Sequence, residues 1–109
     1  MGILTMNVPM LEPMLRCEVA ALDLLDRATT QYRFFAPDGG YFTPIGIEVT
    51  VTFVCGTQSN VILIDVDTVH HTMTIVAGHD DSAVVTLDLN DIVDVREAES
   101  QQIALGLLI

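Results

Sequence analysis

The sequence predicts a mostly β domain headed by one helix. Three observations carry that reading. Apolar and polar residues alternate through Ile47, Val49, Val51, Phe53 and Cys55, through Val69, His71, Met73 and Ile75, and through Val85, Leu87 and Leu89, the period-two signature of half-buried strands. Ahead of them, residues 13–30 place apolar side chains at helical spacing. The chain of 109 residues has room for one domain around one core and is long enough to fold without metals or disulfides. The expected organisation is an apolar arm over 1–12, a helix over 13–30, a hairpin over 31–45, the main β unit over 46–96 and a tail over 97–109.

The opening MGILTMNVPML is apolar but interrupted by Asn7 and Pro9, and reads as an irregular arm packed on its own domain or a neighbour. Pro13 suits a first helical position. Behind it Met14, Cys17, Ala21, Leu22, Leu24, Leu25 and Ala28 make one wide apolar face, with Arg16, Asp23, Asp26, Arg27 and Thr30 opposite. Asp23 and Arg27 form a favourable pair one turn apart, and Glu18 intrudes on the edge of the apolar face. Tyr32, Arg33, Phe34 and Phe35 run extended into the turn Pro37-Asp38-Gly39-Gly40, after which Tyr41 and Phe42 resume.

The strand beginning at Ile47 ends at the turn Gly56–Asn60. Val61 to Val66 is a nearly continuous apolar run, expected to be buried on both faces. Gly78-His79-Asp80-Asp81-Ser82 is the next turn, and Asn90-Asp91 precedes a short strand, Ile92 to Val95. A helical turn is expected after Arg96. The apolar end, Ile103 to Ile109, suits addition to a sheet edge.

Fifteen carboxylates face four basic residues, all Arg, for a net charge of -11 and a pI near 4.1. Such a chain repels phosphate backbones, so nucleic-acid binding is not expected. The acidity favours a basic partner or serves solubility. A hydrophobic fraction of 50% and a mean hydropathy of +0.50 are rich for a small domain, which points to a homo-oligomer or an obligate partner. Cys17 and Cys55 are too few for a disulfide framework and suit a reducing, cytoplasmic setting. No apolar run reaches the roughly 18 residues of a membrane span.

Val49-Thr50-Val51-Thr52-Phe53-Val54-Cys55-Gly56 resembles the Sm1 opening of the Sm-like group. Val66-Asp67 stands where that group has its hydrophobic-Asp pair, and Leu87-Asp88-Leu89-Asn90-Asp91-Ile92-Val93-Asp94-Val95 resembles its Sm2 region. The resemblance, over roughly residues 46–96, implies a small, strongly bent, five-stranded antiparallel barrel behind an N-terminal helix, here with an extra aromatic hairpin. Val61 replaces the usual second glycine, His71 stands near the RNA-contacting Asn, and Leu89-Asn90-Asp91 replaces the basic Sm2 turn. RNA binding is therefore not carried over. In fold and charge the chain is similar to the Rof-type inhibitors of the Rho terminator, acidic barrels that occupy a basic RNA-binding surface.

Few constellations point to chemistry. His70-His71, His79 and Asp80-Asp81 are metal-like in composition, but adjacent strand residues point to opposite faces, and His71 reads as a core histidine. Asp65 and Asp67 share a strand face, and Asp67 reads as a turn residue. No phosphate loop, nucleophile elbow or CxxC is present, so neither an enzyme nor a cofactor is expected. Tyr32, Phe34, Phe35, Tyr41 and Phe42 are five of the six aromatic residues, and suit either a cover over the barrel mouth or an oligomer or ligand surface. The function expected is a non-enzymatic acidic adaptor. It binds a basic protein surface through Asp65, Asp67, Asp80, Asp81, Asp88, Asp91, Asp94 and Glu97. The alternative is a structural or small-molecule-binding oligomer built on the aromatic hairpin.

Overall fold

The structure, a computed structural model, describes residues 2–36, 38–77 and 83–98, with side chains described from Pro13 onward. In chain order it contains α1 (Gly2–Asp26), β1 (Thr30–Gln31), β2 (Phe34–Phe35), β3 (Tyr41–Phe42), β4 (Ile45–Phe53), β5 (Gln58–Asp67), β6 (Thr72–Ala77), β7 (Ala83–Asp88), a 3-10 turn (Leu89–Asp91) and β8 (Ile92–Glu97). The domain is mostly β with one helix and antiparallel pairing throughout. Helical backbone includes most of the stretch expected as an arm, so Pro13 lies within α1 rather than at its start. α1 closes at Asp26, short of the expected Thr30, because Thr30 and Gln31 pair with Gly46 and Ile45. No helix of the described residues is long and apolar enough to cross a membrane.

β4, β5, β6 and β7 form an up-and-down meander. The free edge of β4 is divided between β1, against Ile45 and Gly46, and β8, against Val49 to Phe53. Among the described residues β7 and β8 do not pair, so the strands make a six-stranded open sheet rather than a closed five-stranded one. β2 and β3 form the separate aromatic hairpin.

One face of the sheet carries the core. Ile47, Val49 and Val51 of β4, Val61 and Leu63 of β5, and Met73 and Ile75 of β6 pack with Leu89, Ile92 and Val95 against Met14, Cys17, Ala21 and Leu24 of α1. Each such large side chain removed from water stabilises the fold by about 1.5–3 kcal/mol. Leu22 is not among them: it is exposed, as are Leu15 and Val19.

Three breaks in the alternation shape the sheet. Against β8 the register shifts between Thr52 and Phe53, leaving Phe53 half-buried. The turn is then closed by the Phe53 amide donating to the Thr57 carbonyl, with Gly56 at φ 94°. Cys55, expected on the core face, is exposed in that turn. In β5, Leu63 pairs with Ile75 but Asp65 pairs with Thr74. Ile64 is the extra residue of a bulge. The bulge lets Leu63 and Val66 both face the core while Asp65 and Asp67 face away. Val69 and His71 belong to the following turn and not to β6, so neither is a core strand residue; Val69 is 80% exposed. Val85, also expected inside, is exposed on β7.

Gly46 is held to glycine by close approach. A Cβ there would lie 2.7 Å from the Leu63 carbonyl oxygen, on backbone that cannot move without opening the β4–β5 pairing. Gly46→Ala should cost about 1–3 kcal/mol, as overpacking of a tight site does, read as a lowered denaturant midpoint at unchanged m-value.

Val51→Asp should abolish cooperative unfolding. Val51 is 0% exposed, and a buried unpaired charge costs several kcal/mol out of a stability of about 5–15 kcal/mol. Thr52→Asp should stay folded, losing less than about 1 kcal/mol to the like charge of Asp94 across the strand pair. Circular dichroism melts compare the two, and equal losses would refute the register.

Candidate functional site

The sheet face turned away from α1 is polar at its ends and apolar in the middle. Strand pairing sets it out in rows. Arg96, Thr50 and Asn60 form one, and Asp94, Thr52 and Gln58 the next. Glu48, Ile62, Val76 and Val84 form the middle row. Asp65, Thr74 and Thr86 follow, then Asp67, Thr72 and Asp88. The Thr50 hydroxyl donates to Asn60 Oδ1 at 2.7 Å and Gln58 Nε2 donates to Thr52 Oγ1 at 3.1 Å, so this surface is pre-ordered by short side-chain bonds.

The expected acidic residues fall into separate sets. Asp65, Asp67 and Asp88 share this face in two adjacent rows, with Thr72 between Asp67 and Asp88, while Asp91, on the 3-10 turn, accepts the Val54 amide on its carbonyl. Two of these also have local structural work. Asp67 Oδ1 accepts the amides of Val69 at 2.9 Å and His70 at 3.1 Å, and its Oδ2 lies 2.8 Å from His70 Nδ1. These bonds, the His70 side chain foremost, hold its carboxyl below the usual aspartate range. Asp88 Oδ1 accepts the Asn90 amide at 2.9 Å and caps the 3-10 turn. Asp94 is exposed two rows past the middle one, 3.9 Å from the Arg96 guanidinium. Glu97 is half-buried opposite Val49. Asp80 and Asp81, like His79, lie outside the described residues.

The aromatic hairpin leans over the apolar middle of this face. Tyr32 and Phe34 stack with centroids 5.9 Å apart and planes 9° from parallel, and Phe34 meets Phe42 at 5.5 Å. On the hairpin's other side Phe35 meets Tyr41 edge-on at 5.3 Å, and the Arg33 guanidinium sits 4.0 Å over the Tyr41 ring. Between hairpin and sheet is a cleft of about 360 Å³, lined by Tyr32, Arg33, Phe34, Glu48, Asn60, Val61, Ile62 and Val76, and so by charged as well as apolar groups. Burial, and after it the nearby Glu48 carboxylate, raises the Tyr32 hydroxyl.

A polar join was only half visible in the sequence. Glu18, buried on the helix edge, has its Oε2 2.6 Å from Nδ1 of His71. His71 has a left-handed backbone, φ 55°, and its carbonyl accepts the Leu89 amide. It thus ties α1, the β5–β6 turn and the 3-10 turn together, and is a turn residue rather than a core histidine. The signal for it was Glu18 itself, since a carboxylate on an apolar face needs a partner. Among the described residues no three His, Cys, Asp or Glu side chains converge as metal ligands do.

Because the Asp67 carboxyl is depressed in the fold, its contribution is present at neutral pH and lost as pH falls below the ordinary aspartate range through its folded value. A carboxyl-detected NMR titration should place Asp67 below the usual aspartate midpoint, with the Val69 and His70 amides shifting at that same midpoint. Asp67→Asn should abolish that transition. No family model, no curated protein and no solved structure matches this chain.

Proposed function

We propose that the chain is a non-enzymatic acidic adaptor on an Sm-like small barrel, acting in the cytoplasm as a homo-oligomer and docking on a basic protein surface. The observation that carries this reading is that Asp65, Asp67 and Asp88 share one open sheet face. There they are interleaved with threonine hydroxyls and carried by a chain of net charge -11. Fixed carboxylates on a rigid sheet attract cationic side chains while threonines supply neutral hydrogen bonds at the rim. The barrel half of the reading is supported by the path of the chain. A helix precedes a four-strand meander, and a short last strand returns through a 3-10 turn to the first strand of the meander. β7 supports association: its outer edge is unpaired among the described residues, and Val84 and Val85 are exposed on its two faces, an arrangement that favours pairing with another chain.

The cleft under the aromatic hairpin favours the alternative, a small-molecule-binding oligomer. The two readings respond differently to salt. An adaptor bound through exposed charges weakens as the Debye length falls from about 8 Å at 0.15 M, whereas binding of an uncharged molecule under the hairpin does not.

The test is capture of basic proteins from host lysate at two salt concentrations, by the wild type and by Asp65→Asn/Asp88→Asn/Asp91→Asn. Each exposed pair contributes on the order of 0.3–1 kcal/mol, so the triple variant should bind roughly five- to 150-fold more weakly. Capture indifferent to both salt and the triple substitution, or saturable binding of single-stranded oligonucleotides by the wild type, would overturn the adaptor reading.

A further inference from the structure

α1 is apolar on two sides. Met14, Cys17, Ala21 and Leu24 face the sheet. Leu15, Val19 and Leu22 do not: they are 42%, 66% and 39% exposed. At 100° per residue these three lie within roughly 60° of one another, on the side away from the sheet. In the sequence, Leu4, Val8 and Leu11 continue the same spacing of three and four. A helix apolar on both faces is one buried on both faces, and the described residues cover only one.

We propose that α1 pairs antiparallel with α1 of a second copy of this chain through the stripe of Leu15, Val19 and Leu22. The spacing of three and four is the one that lets two helices interlock along a seam. A two-fold axis passing near Val19 makes the stripe meet itself. The same axis decides what flanks the seam. Arg16 lies three residues before Val19 and Asp23 four after, both on the same flank of the stripe. The antiparallel arrangement therefore sets Arg16 of each copy beside Asp23 of the other, twice over.

Arg16 is exposed and makes no ion pair among the described residues, so it is available for that contact. Asp23 presents an exposed carboxylate, held by Arg27 at 3.2 Å on the next turn. A parallel pair would instead put Arg16 of one copy and Asp23 of the other on opposite flanks of the seam, where they cannot meet. A highly basic partner has no use for an apolar stripe, which argues for a copy of the chain here and the foreign partner elsewhere. With 25 residues, α1 is about 37 Å long at 1.5 Å per residue, enough for a seam of several turns.

This names an interface for the homo-oligomer proposed above and rests on that part of the reading alone. The acidic sheet face does not enter it. The test is sedimentation velocity on the full chain. Wild type should sediment as a dimer or a multiple of one. Val19→Glu should shift it to the smaller species while the helical signal and melting curve persist. Arg16→Asp and Asp23→Arg should each weaken self-association by about tenfold by setting like charges together, and mixing the two variants should restore it, because their exchanged charges complement one another. Asp65→Asn should change nothing.

A monomeric wild type would overturn both this proposal and the oligomer reading. An oligomer indifferent to Val19→Glu would overturn the helix seam and leave the oligomer to another surface, with β7 next in line. Should Val19→Glu unfold the chain, the charge exchange decides, and failure of the mixture to recover would refute the antiparallel pairing.

Discussion

Both edges of β4 are occupied, and by three different strands. β5 takes one edge along most of its length, while β1 and β8 share the other. Every remaining element is positioned by that arrangement. Val49 and Val51, both fully buried, provide the centre of the face on which α1 rests. Their neighbours Glu48, Thr50 and Thr52 begin the outer face that carries the candidate site. The division of the second edge is possible only because β1 stops at Gln31 and β8 starts at Ile92, leaving the junction near Gly46 to Val49. A side chain at Gly46 would separate β4 from β5 at the point where β1 must also pair. The fold thus depends on one strand accepting three partners, and on one glycine leaving room for the Leu63 carbonyl where β4 meets β5.

The candidate site follows from a second constraint, the bulge at Ile64. Strict alternation after Leu63 would turn Asp65 and Asp67 into the core, where a carboxylate without a partner costs far more than a small domain can tolerate. The extra residue restores Val66 to the core and delivers both aspartates to the outer face. There the β5–β6–β7 pairing carries Asp67 through Thr72 to Asp88. The same aspartates shape turns: Asp67 organises the β5–β6 turn and Asp88 the 3-10 turn. A surface whose charges also close its turns is rigid, which lowers the entropy lost when a partner orders it further.

How much of this was legible in the sequence depends on how local the cause is. The Ile47–Val51 alternation was read correctly, as was the aromatic hairpin with its Asp38-Gly39-Gly40 turn, because period and turn chemistry are local. The carboxylates were legible as a set but not as a geometry: only the strand register tells that Asp65, Asp67 and Asp88 occupy adjacent rows of one face while Asp94 stands apart. Cys55 and His71 were assigned to the core because alternation was carried past the point where each strand ends. The helix was read with Leu22 inside, while Leu15 and Val19 were assigned to neither face. A wide apolar face at helical spacing does not say which part of it meets the sheet. The sheet selects Met14, Cys17, Ala21 and Leu24 and leaves Leu15, Val19 and Leu22 out.

That separation bears on how an acidic chain can both assemble and bind. Bringing two copies together doubles a charge of -11, and the repulsion opposes any dimer whose seam is made of carboxylates. The stripe on α1 avoids the difficulty. Leu15, Val19 and Leu22 carry no charge, and in an antiparallel pair the flank sets Arg16 beside Asp23, so these two charges offset one another while Asp65, Asp67 and Asp88 stand on the sheet face. Screening then acts in opposite directions on the two surfaces. Salt relieves the long-range repulsion between copies and strengthens a seam held by apolar contact, whereas it weakens attraction between the sheet carboxylates and a cationic partner. On the proposed reading, self-recognition and recognition of a partner are separated by physical mechanism as well as by position, with the core between the two surfaces.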